Sequence, residues 1–407
     1  MENKLVVSPD MEPSLWARYL NAYTALIKEG GYSPASVRVH VQLLERFGKW
    51  LSKGRTNICA LDETVVKRFL LRLQSANSVR RGDAATLYRF LHMLRSQGVT
   101  RPARKSPLSP KQRLITNYGR YLLEERGLSK AAVVNYVPFV DQFLSARFQE
   151  VPLNLFQIRA SDLTSFIRRQ ARKLSPGRAQ LLATALRSFL RYLRHQGKIT
   201  ADLAACVPAV ARWSFASLPK SLPVGVVQKV LDHNDRKTPL GRRDYAILLL
   251  LARLGLRACE IVALNLEDIE WENARITVRS KGGRRTQLPL PVDVGKALAQ
   301  YLRNGRPSCS CRRVFIRGRA PHTGFANSIA VSTLVMRALR RAGVDSGRTG
   351  AHLFRHSLAT DMIRQGASLD EIGELLRHQS PNTTASYAKV DLPALRPLAL
   401  PWPGGAR

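Results

Sequence analysis

Apolar side chains along the first two hundred residues recur every three or four positions, a spacing that predicts amphipathic helices. The pattern occurs twice. Val37 corresponds to Val133, 96 residues further on, and residues 90–98 correspond to residues 189–197, 99 residues further on. A repeat of this length indicates a duplicated domain, because one turn of a solenoid would be much shorter.

Each copy of the repeat is predicted to be a bundle of four or five helices. Ser33 is a suitable N-cap with Pro34 at the first helical position, and Ser129 caps the equivalent helix of the second copy. Gly98 and Gly197 stand where the last helix of each copy should end. The apolar stripes then form two cores, so function is expected on the basic faces.

Two proline-rich segments divide the chain into three predicted domains. Residues 101–110 are basic and rich in proline, and residues 207–224 contain three more prolines. We therefore predict helical modules at residues 1–106 and 107–208, followed by a third domain at residues 209–407.

The third domain begins with mixed helix and strand patterns. An apolar run predicts a helix over residues 241–254 that Gly255 closes, and a second helix begins near Arg257. Alternating residues predict two antiparallel strands around a Gly-Gly turn, and a third strand is expected beyond them. These strands are placed at residues 276–279, 286–288 and 313–316.

Helices return toward the end of the chain. Ser368 and Glu371 form a capping box, and Ser380 with Pro381 begins the helix that carries Tyr387. The predicted fold is therefore mainly α with a small antiparallel β-sheet, in which two tandem helical domains precede a mixed α/β domain.

Composition points to a polyanionic partner. The chain has 65 Lys and Arg against 29 Asp and Glu, a net charge of +36 and a pI near 11.1. A hydrophobic content of 45% excludes a disordered polyelectrolyte, so this charge lies on folded surfaces. Double-stranded DNA is the leading expected partner, and an anionic membrane surface is second.

The sequence predicts neither a metal site nor a membrane segment. Five scattered cysteines indicate reduced thiols, and Cys309 with Cys311 lacks a second pair at zinc-finger distance. The first residues do not resemble a signal peptide, and the aliphatic run 246–252 is too short to span a bilayer. We expect a cytoplasmic, nucleoid-associated protein that uses no cofactor.

The candidate chemistry lies in six residues of four types spread over the third domain. Each residue taken singly is weak evidence, since an arginine is usually a solvated charge and a tyrosine usually belongs to a core. In this order the set resembles the tyrosine recombinases, also called the phage integrase family, over about residues 222–395. The candidate site residues are Arg257, Lys281, His352, Arg355, His378 and Tyr387.

The resemblance implies two SAM-like helical DNA-binding domains before a tyrosine recombinase catalytic domain. It also implies transesterification at a DNA phosphodiester. Arg257 and Arg355 would clamp the non-bridging oxygens of the phosphorane, which carry extra negative charge. Tyr387 would be the nucleophile and His352 the base, since a free phenol titrates near ~10 and needs help to lose its proton.

Two further residues complete the implied mechanism. Lys281, on a hairpin tip, would protonate the departing 5′ oxygen, and His378 would bind a non-bridging oxygen and position the tyrosine. The covalent 3′-phosphotyrosine would keep the energy of the bond, so strand exchange would need no ATP, metal or net hydrolysis.

We therefore expect a site-specific DNA recombinase or integrase, encoded by a mobile element and acting in DNA integration, excision or transposition. It would act as a homotetramer on two DNA sites, in some elements together with related recombinases. A type IB topoisomerase is the alternative enzyme, and an accessory DNA-binding partner of a multi-recombinase element is the alternative without catalysis.

The chain departs from the family pattern in two places. Arg377 stands before His378, where the family commonly has glycine, so we expect local rearrangement or an extra phosphate contact. The tail is short and proline-rich, and residues 391–398 would form only about two helical turns at 3.6 residues each. Docking of this tail into a neighbouring protomer is therefore in question.

Overall fold

The structure, a computed structural model, confirms the predicted fold class. It describes residues 13–102, 107–149, 152–210, 221–280, 284–345 and 350–390. Helices dominate, and a three-stranded antiparallel sheet accompanies them. The chain divides into two compact units, Met1–Ala103 with Ser217–Arg407, and Arg104–Ala216.

The first helical module of the larger unit is a four-helix bundle. Its helices are α1 (Pro13–Glu29), α2 (Pro34–Lys53), α3 (Glu63–Ser75) and α4 (Asp83–Ser96). Ser33 caps α2 by accepting a hydrogen bond from the Ser36 backbone, as predicted. Phe47, Phe69 and Phe90 are buried in its core. Burial of such large rings supplies most of the hydrophobic stabilisation of a small bundle.

The turn after α1 packs against a loop from the third domain of the same unit. The His322 backbone N–H donates to the Gly30 carbonyl oxygen at 2.9 Å. Gly31 has φ +79°, and a Cβ added there would lie 2.0 Å from the His322 ring. Gly127, the equivalent residue of the repeat, has φ +59° and no atom within 4 Å of such a Cβ. Gly31 therefore serves both a left-handed turn and a close contact.

The second unit repeats the same helix order. Its helices are α5 (Pro110–Glu124), α6 (Lys130–Arg147), α7 (Ala160–Ala171) and α8 (Pro176–His195). Ser129 caps α6 as predicted, and Gly197 follows α8 with φ +63°, as Gly98 follows α4 with φ +72°. Equivalent sequence signals therefore end and begin equivalent helices in both copies.

The third domain contains the small sheet and the helices around it. Its elements are α9 (Val226–Asp232), α10 (Pro239–Leu254), α11 (Ala258–Ala263), β1 (Ile269–Glu270), β2 (Arg275–Arg279), β3 (Arg285–Pro289), α12 (Val292–Asn304), α13 (Ile329–Arg341), α14 (His352–Arg364), α15 (Leu369–Leu376) and α16 (Pro381–Thr384). A 3-10 turn, Ala385–Val390, follows α16. The sheet order is β1-β2-β3, with Ile276 opposite both Ile269 and Leu288.

The predicted strand at residues 313–316 is wrong. The third strand of the sheet is β1, and residues 313–316 form only isolated bridges at their two ends, to Asn265 and Gly324. The sequence of this segment is typical of a strand because Val314 and Phe315 are apolar, and both side chains are buried in the structure. Their backbone partners are scattered over loops, so burial here does not come with a continuous ladder of hydrogen bonds.

Helix α10 is the central element of this domain and packs against α12 and α14. Residues 246–251 are all fully buried, which explains their continuous apolar run. Gly255 ends the helix in the left-handed conformation, as predicted, and the chain then reaches Arg257 at the start of α11. No helix in the described parts of the chain is long and apolar enough to cross a membrane.

Candidate active site

Arg355 is a buried cation one turn into α14. Its guanidinium donates to the carbonyl oxygen of Gly255 at 2.6 Å and also to that of Leu376. Burial, followed by repulsion from Arg257 and Arg377, lowers the pKa of Arg355 to about 10. The group therefore remains protonated at neutral pH and is fixed in place before any ligand arrives.

Arg257 lies at the N-cap of α11 and is more accessible. Its Nη1 donates to Glu260 Oε1 at 2.9 Å, and its Nη2 donates to the Arg377 carbonyl oxygen at 3.4 Å. The Arg257 side chain is 27% exposed, whereas Arg355 is 3% exposed. Of the two, Arg257 is therefore the cation more accessible to a ligand.

Glu260 orients Arg257 from the interior. Its side chain is only 1% exposed, and its Oε2 also accepts the Arg257 backbone N–H at 2.8 Å. Burial raises the pKa of Glu260, but hydrogen bonds from Arg257 and the charges of Arg257 and Arg377 outweigh burial, so the net shift is downward. A buried ionised carboxylate with several donors is more than an ordinary exposed helix salt bridge.

Arg377 takes the backbone conformation that glycine would adopt at lower cost. It is the C-cap of α15 with φ 56° and ψ 50°, and its side chain is 5% exposed. An arginine here occupies the left-handed region, at a cost of about 1 kcal/mol. Its Nη2 donates to Glu260 Oε2 at 3.0 Å, so the cation is paired inside the protein.

Tyr387 lies on the 3-10 turn after α16, immediately beyond the helix that was predicted to carry it. Its side chain is buried, and its hydroxyl forms a hydrogen bond with His356 Nδ1 at 2.8 Å. Its ring lies parallel to the His378 ring, with centroids 6.2 Å apart. Burial raises the pKa of Tyr387, although the charges of Arg355 and Arg257 oppose this shift. The phenol is therefore protonated in this arrangement.

The two predicted site histidines are both held neutral by their surroundings. Burial, and then the charges of Arg355 and Arg257, lower the pKa of His378 to about 4. Its Nδ1 forms a 2.7 Å hydrogen bond with Thr384 Oγ1, which fixes the ring plane. His352 is the first residue of α14, and burial followed by Arg355 and Arg257 lowers its pKa as well.

The structure brings five of the six predicted residues into one region. Arg355 and His352 share a face of α14, Arg257 reaches the end of α15, and His378 follows α15 and stacks on Tyr387. Lys281 lies outside the described residues.

Sequence reasoning missed His356, which bonds the hydroxyl of the predicted nucleophile. A signal for it was present, because His356 lies one helical turn after His352, with their ring centroids 6.3 Å apart. His352 stays the predicted base, and His356 is a second candidate on the same helix.

Metal ligands are not grouped in this region. Within the described residues, no group of three or more His, Cys, Asp or Glu side chains is placed to hold a metal ion. Cys309 and Cys311 are both free thiols that are partly exposed. The positive groups available for charge stabilisation in the described part of the site are arginines.

Two family models match the chain. The model of the Phage integrase family matches residues 220–392, and that of the Phage integrase, N-terminal SAM-like domain matches twice, at residues 20–98 and 115–197. The two SAM-like matches agree with the duplicated helical domain predicted from the repeat.

Similar proteins match over most of their length. "Putative integrase/recombinase y4rA" of Sinorhizobium fredii (strain NBRC 101917 / NGR234) is 44% identical over 96% of this chain and 95% of that protein. Tyrosine recombinase XerD of Listeria innocua serovar 6a is 30% identical over 68% of this chain and 94% of that protein.

Solved structures share the fold. XerH site-specific recombinase bound to the palindromic difH substrate has a TM-score of 0.54 and 19% identity, covering 70% of this chain and 83% of that chain. A lambda integrase dimer bound to a COC′ core site has a TM-score of 0.52 and 18% identity, covering 68% and 94%.

Proposed function

This chain belongs to the phage integrase family of tyrosine recombinases, the enzymes of site-specific DNA recombination, and we propose that Tyr387 is its nucleophile. The observation that carries the proposal is the arrangement around that residue. Tyr387 is hydrogen-bonded to His356 and stacked on His378, and the buried cation Arg355 is bonded to the residue two positions before His378. A tyrosine between histidines and fixed arginines suits attack on a phosphodiester.

The proposed step is a balanced transesterification. The Tyr387 Oη forms a bond to phosphorus, the bond from phosphorus to the 5′ oxygen breaks, and a 3′-phosphotyrosine results. Arg257 and Arg355 stabilise the charge that develops on the non-bridging oxygens, because their guanidinium groups are held by protein partners beforehand. Lys281 is the proposed donor of the proton to the 5′ oxygen, and His378 the proposed contact to a non-bridging oxygen.

The tyrosine proton has two candidate acceptors. His352 is the acceptor that the family resemblance implies, and His356 is the residue that contacts the hydroxyl at 2.8 Å. A general base must reach the proton that it abstracts within hydrogen-bond distance. This geometry supports His356 as acceptor from the resting position of Tyr387.

The proposed nucleophile is buried in this structure. Tyr387 is 2% exposed and packs in a cluster with Ala359, Ile363, Ile372 and Leu376. We propose that DNA binding displaces the turn Ala385–Val390, which links the nucleophile to α16.

DNA is the proposed partner of all three domains. The net charge of +36 supports binding to phosphate along the duplex, and the similar structures named above are complexes with DNA sites. We propose residues 1–106 and 107–208 as DNA-contacting modules and residues 209–407 as the catalytic domain. The finer proposals are a homotetramer on two sites, a mobile element as the source, participation of related recombinases, and a location at the nucleoid.

Capture of the covalent intermediate tests this function. The purified protein is incubated with nicked suicide substrates made from the ends of the DNA element that encodes it. Wild-type protein should form a covalent adduct that the Tyr387→Phe variant does not form. An adduct with Tyr387→Phe would overturn the assignment of the nucleophile. In a two-site plasmid, relaxation without recombinant products would instead favour the topoisomerase alternative.

A further inference from the structure

The C-terminal end of α15 holds both candidate phosphate clamps. The Leu376 carbonyl oxygen accepts from Arg355, and the Arg377 carbonyl oxygen accepts from Arg257 at 3.4 Å. His378 is the next residue in the chain. The backbone conformation at Arg377 therefore decides where three of the proposed catalytic groups lie.

The Arg377 side chain occupies the interior beside these groups. Its Nη2 donates to Glu260 Oε2 at 3.0 Å, and its Nη1 donates to the Leu375 carbonyl oxygen at 3.0 Å. Ser280 Oγ also donates to Glu260, at 3.3 Å. Two arginines, Arg257 and Arg377, thus share one buried carboxylate.

This sharing changes the charge of the site. Arg257 and Glu260 alone would form a neutral pair, whereas the triad with Arg377 carries a net charge of +1. The phosphorane gains negative charge on its non-bridging oxygens, so a fixed positive excess favours it over the starting phosphodiester.

We propose that Arg377 is a positioning residue for strand cleavage, whose guanidinium shares Glu260 with Arg257 and so leaves a fixed positive charge beside Arg257 for the scissile phosphate. The inference rests on the function proposed above. A purely structural role is a poorer account, since glycine would take φ 56° at lower cost and Glu260 would still be bound by Arg257. Arginine occupies the position despite this backbone strain.

The same cation acts on His378. Burial and several neighbouring positive charges lower the pKa of His378 to about 4, and the guanidinium of Arg377 is one of those charges. The charged or titratable groups around His378 include Arg257, Arg355, His356 and Arg377, and the phenol of Tyr387 stacks on its ring. Removing the Arg377 charge should therefore raise the pKa of His378, so protonation of that ring would begin at a higher pH.

Three variants separate charge from backbone. Arg377→Met keeps the bulk and the left-handed strain but removes the cation. Arg377→Gly removes the cation and relieves the strain, and Arg377→Lys keeps the cation. Arg243→Met is a matched control, because Arg243 is also partly buried, at 13% exposure, and pairs with Asp244 on α10.

The experiment measures single-turnover adduct formation on the suicide substrate between pH 5 and 8, together with DNA affinity. Arg377→Met and Arg377→Gly should both cleave about tenfold or more slowly, on the order of losses seen when an orienting partner is removed. DNA affinity should stay within about twofold, the acid limb of the rate should move to higher pH, and Arg377→Lys should recover most of the rate. Arg243→Met should cleave at the wild-type rate.

Each other outcome is decisive. Wild-type rates and an unchanged pH profile for Arg377→Gly and Arg377→Met would overturn the role of Arg377 while leaving the nucleophile in place. If Arg377→Lys cleaves as slowly as Arg377→Met, the positive charge of Arg377 does not account for its effect on cleavage, and the proposed role is overturned. A wild-type protein without an adduct, or an adduct in Tyr387→Phe, would overturn the proposed function and this role with it.

Discussion

Replacement of Glu260 by glutamine should destabilise the catalytic domain strongly. The change removes the only negative charge of the triad and leaves Arg257 and Arg377 facing each other, one of them 5% exposed. At an effective dielectric of 20, two unit charges about 4 Å apart interact by about 4 kcal/mol. Breaking a buried pair by removing one partner typically costs about 3–5 kcal/mol. Because Arg257 is partly exposed and can turn toward solvent, we expect the domain to lose stability near the lower end of this range, about 3 kcal/mol.

Glu267→Gln is the matched control. Glu267 also pairs with an arginine of this domain, Arg312, at 2.5 Å, but its side chain is 54% exposed. Water and salt screen such a pair, so its removal should have little effect on stability. Both variants replace a carboxylate by an amide, but the carboxylate is buried in one case and exposed in the other.

Hydrogen exchange is the suitable assay, because a chain of several domains has no single unfolding free energy. Amides of α11 and α14 should exchange faster in Glu260→Gln than in Glu267→Gln. The pKa of Glu260 is lowered in the folded state, so its contribution is present above the ordinary pKa of a glutamate, about 4.3, and is lost as pH falls through the folded value. The difference between wild type and Glu260→Gln should therefore be largest near pH 7 and narrow in acid. Equal exchange in the two variants at pH 7 would refute the reasoning.

Three further outcomes are expected. His356→Phe should slow single-turnover adduct formation at least about tenfold, since Tyr387 loses the acceptor that its hydroxyl contacts; an unchanged rate would remove His356 from the mechanism. The pKa of His378 is lowered to about 4, so the folded state resists protonation and wild-type stability should fall as pH drops from about 6.5. His378→Gln should make stability depend less on pH in acid unfolding curves. A variant whose stability falls with pH as steeply as that of wild type would contradict the lowered pKa of His378. Gly31→Ala should accelerate hydrogen exchange at the end of α1 more than Gly127→Ala does at the end of α5. Both glycines have positive φ, but only Gly31 has a side chain packed against it. Equal acceleration by the two variants would refute the contact between Gly31 and His322.

Much of the local structure could be predicted because its causes are local. Ser33 and Ser129 accept hydrogen bonds from backbone N–H groups three residues on, and Gly255 ends α10 with a positive φ. The capping box of Ser368 and Glu371 is present as well. Each signal depends on residues only a few positions apart, so no knowledge of the packing was needed.

The strand error shows where local pattern fails. Residues 313–316 and β1 are both short and partly apolar, and the sequence favours the former. β1 reaches β2 through a turn of four residues and places Ile269 opposite Ile276. Residues 313–316 instead bridge to Asn265 and Gly324, which lie outside the sheet.

The sequence by itself determined the residue types of the site and their order. Only the tertiary structure decided that His356 bonds Tyr387 across 31 positions, and that Arg377 reaches Glu260 across 117. These contacts exist because α11, α14 and α15 pack together around buried charges, and the direction of a side chain in such packing follows from all its neighbours at once. A residue type can be read from a motif, whereas the partner that sets its charge and position depends on the fold.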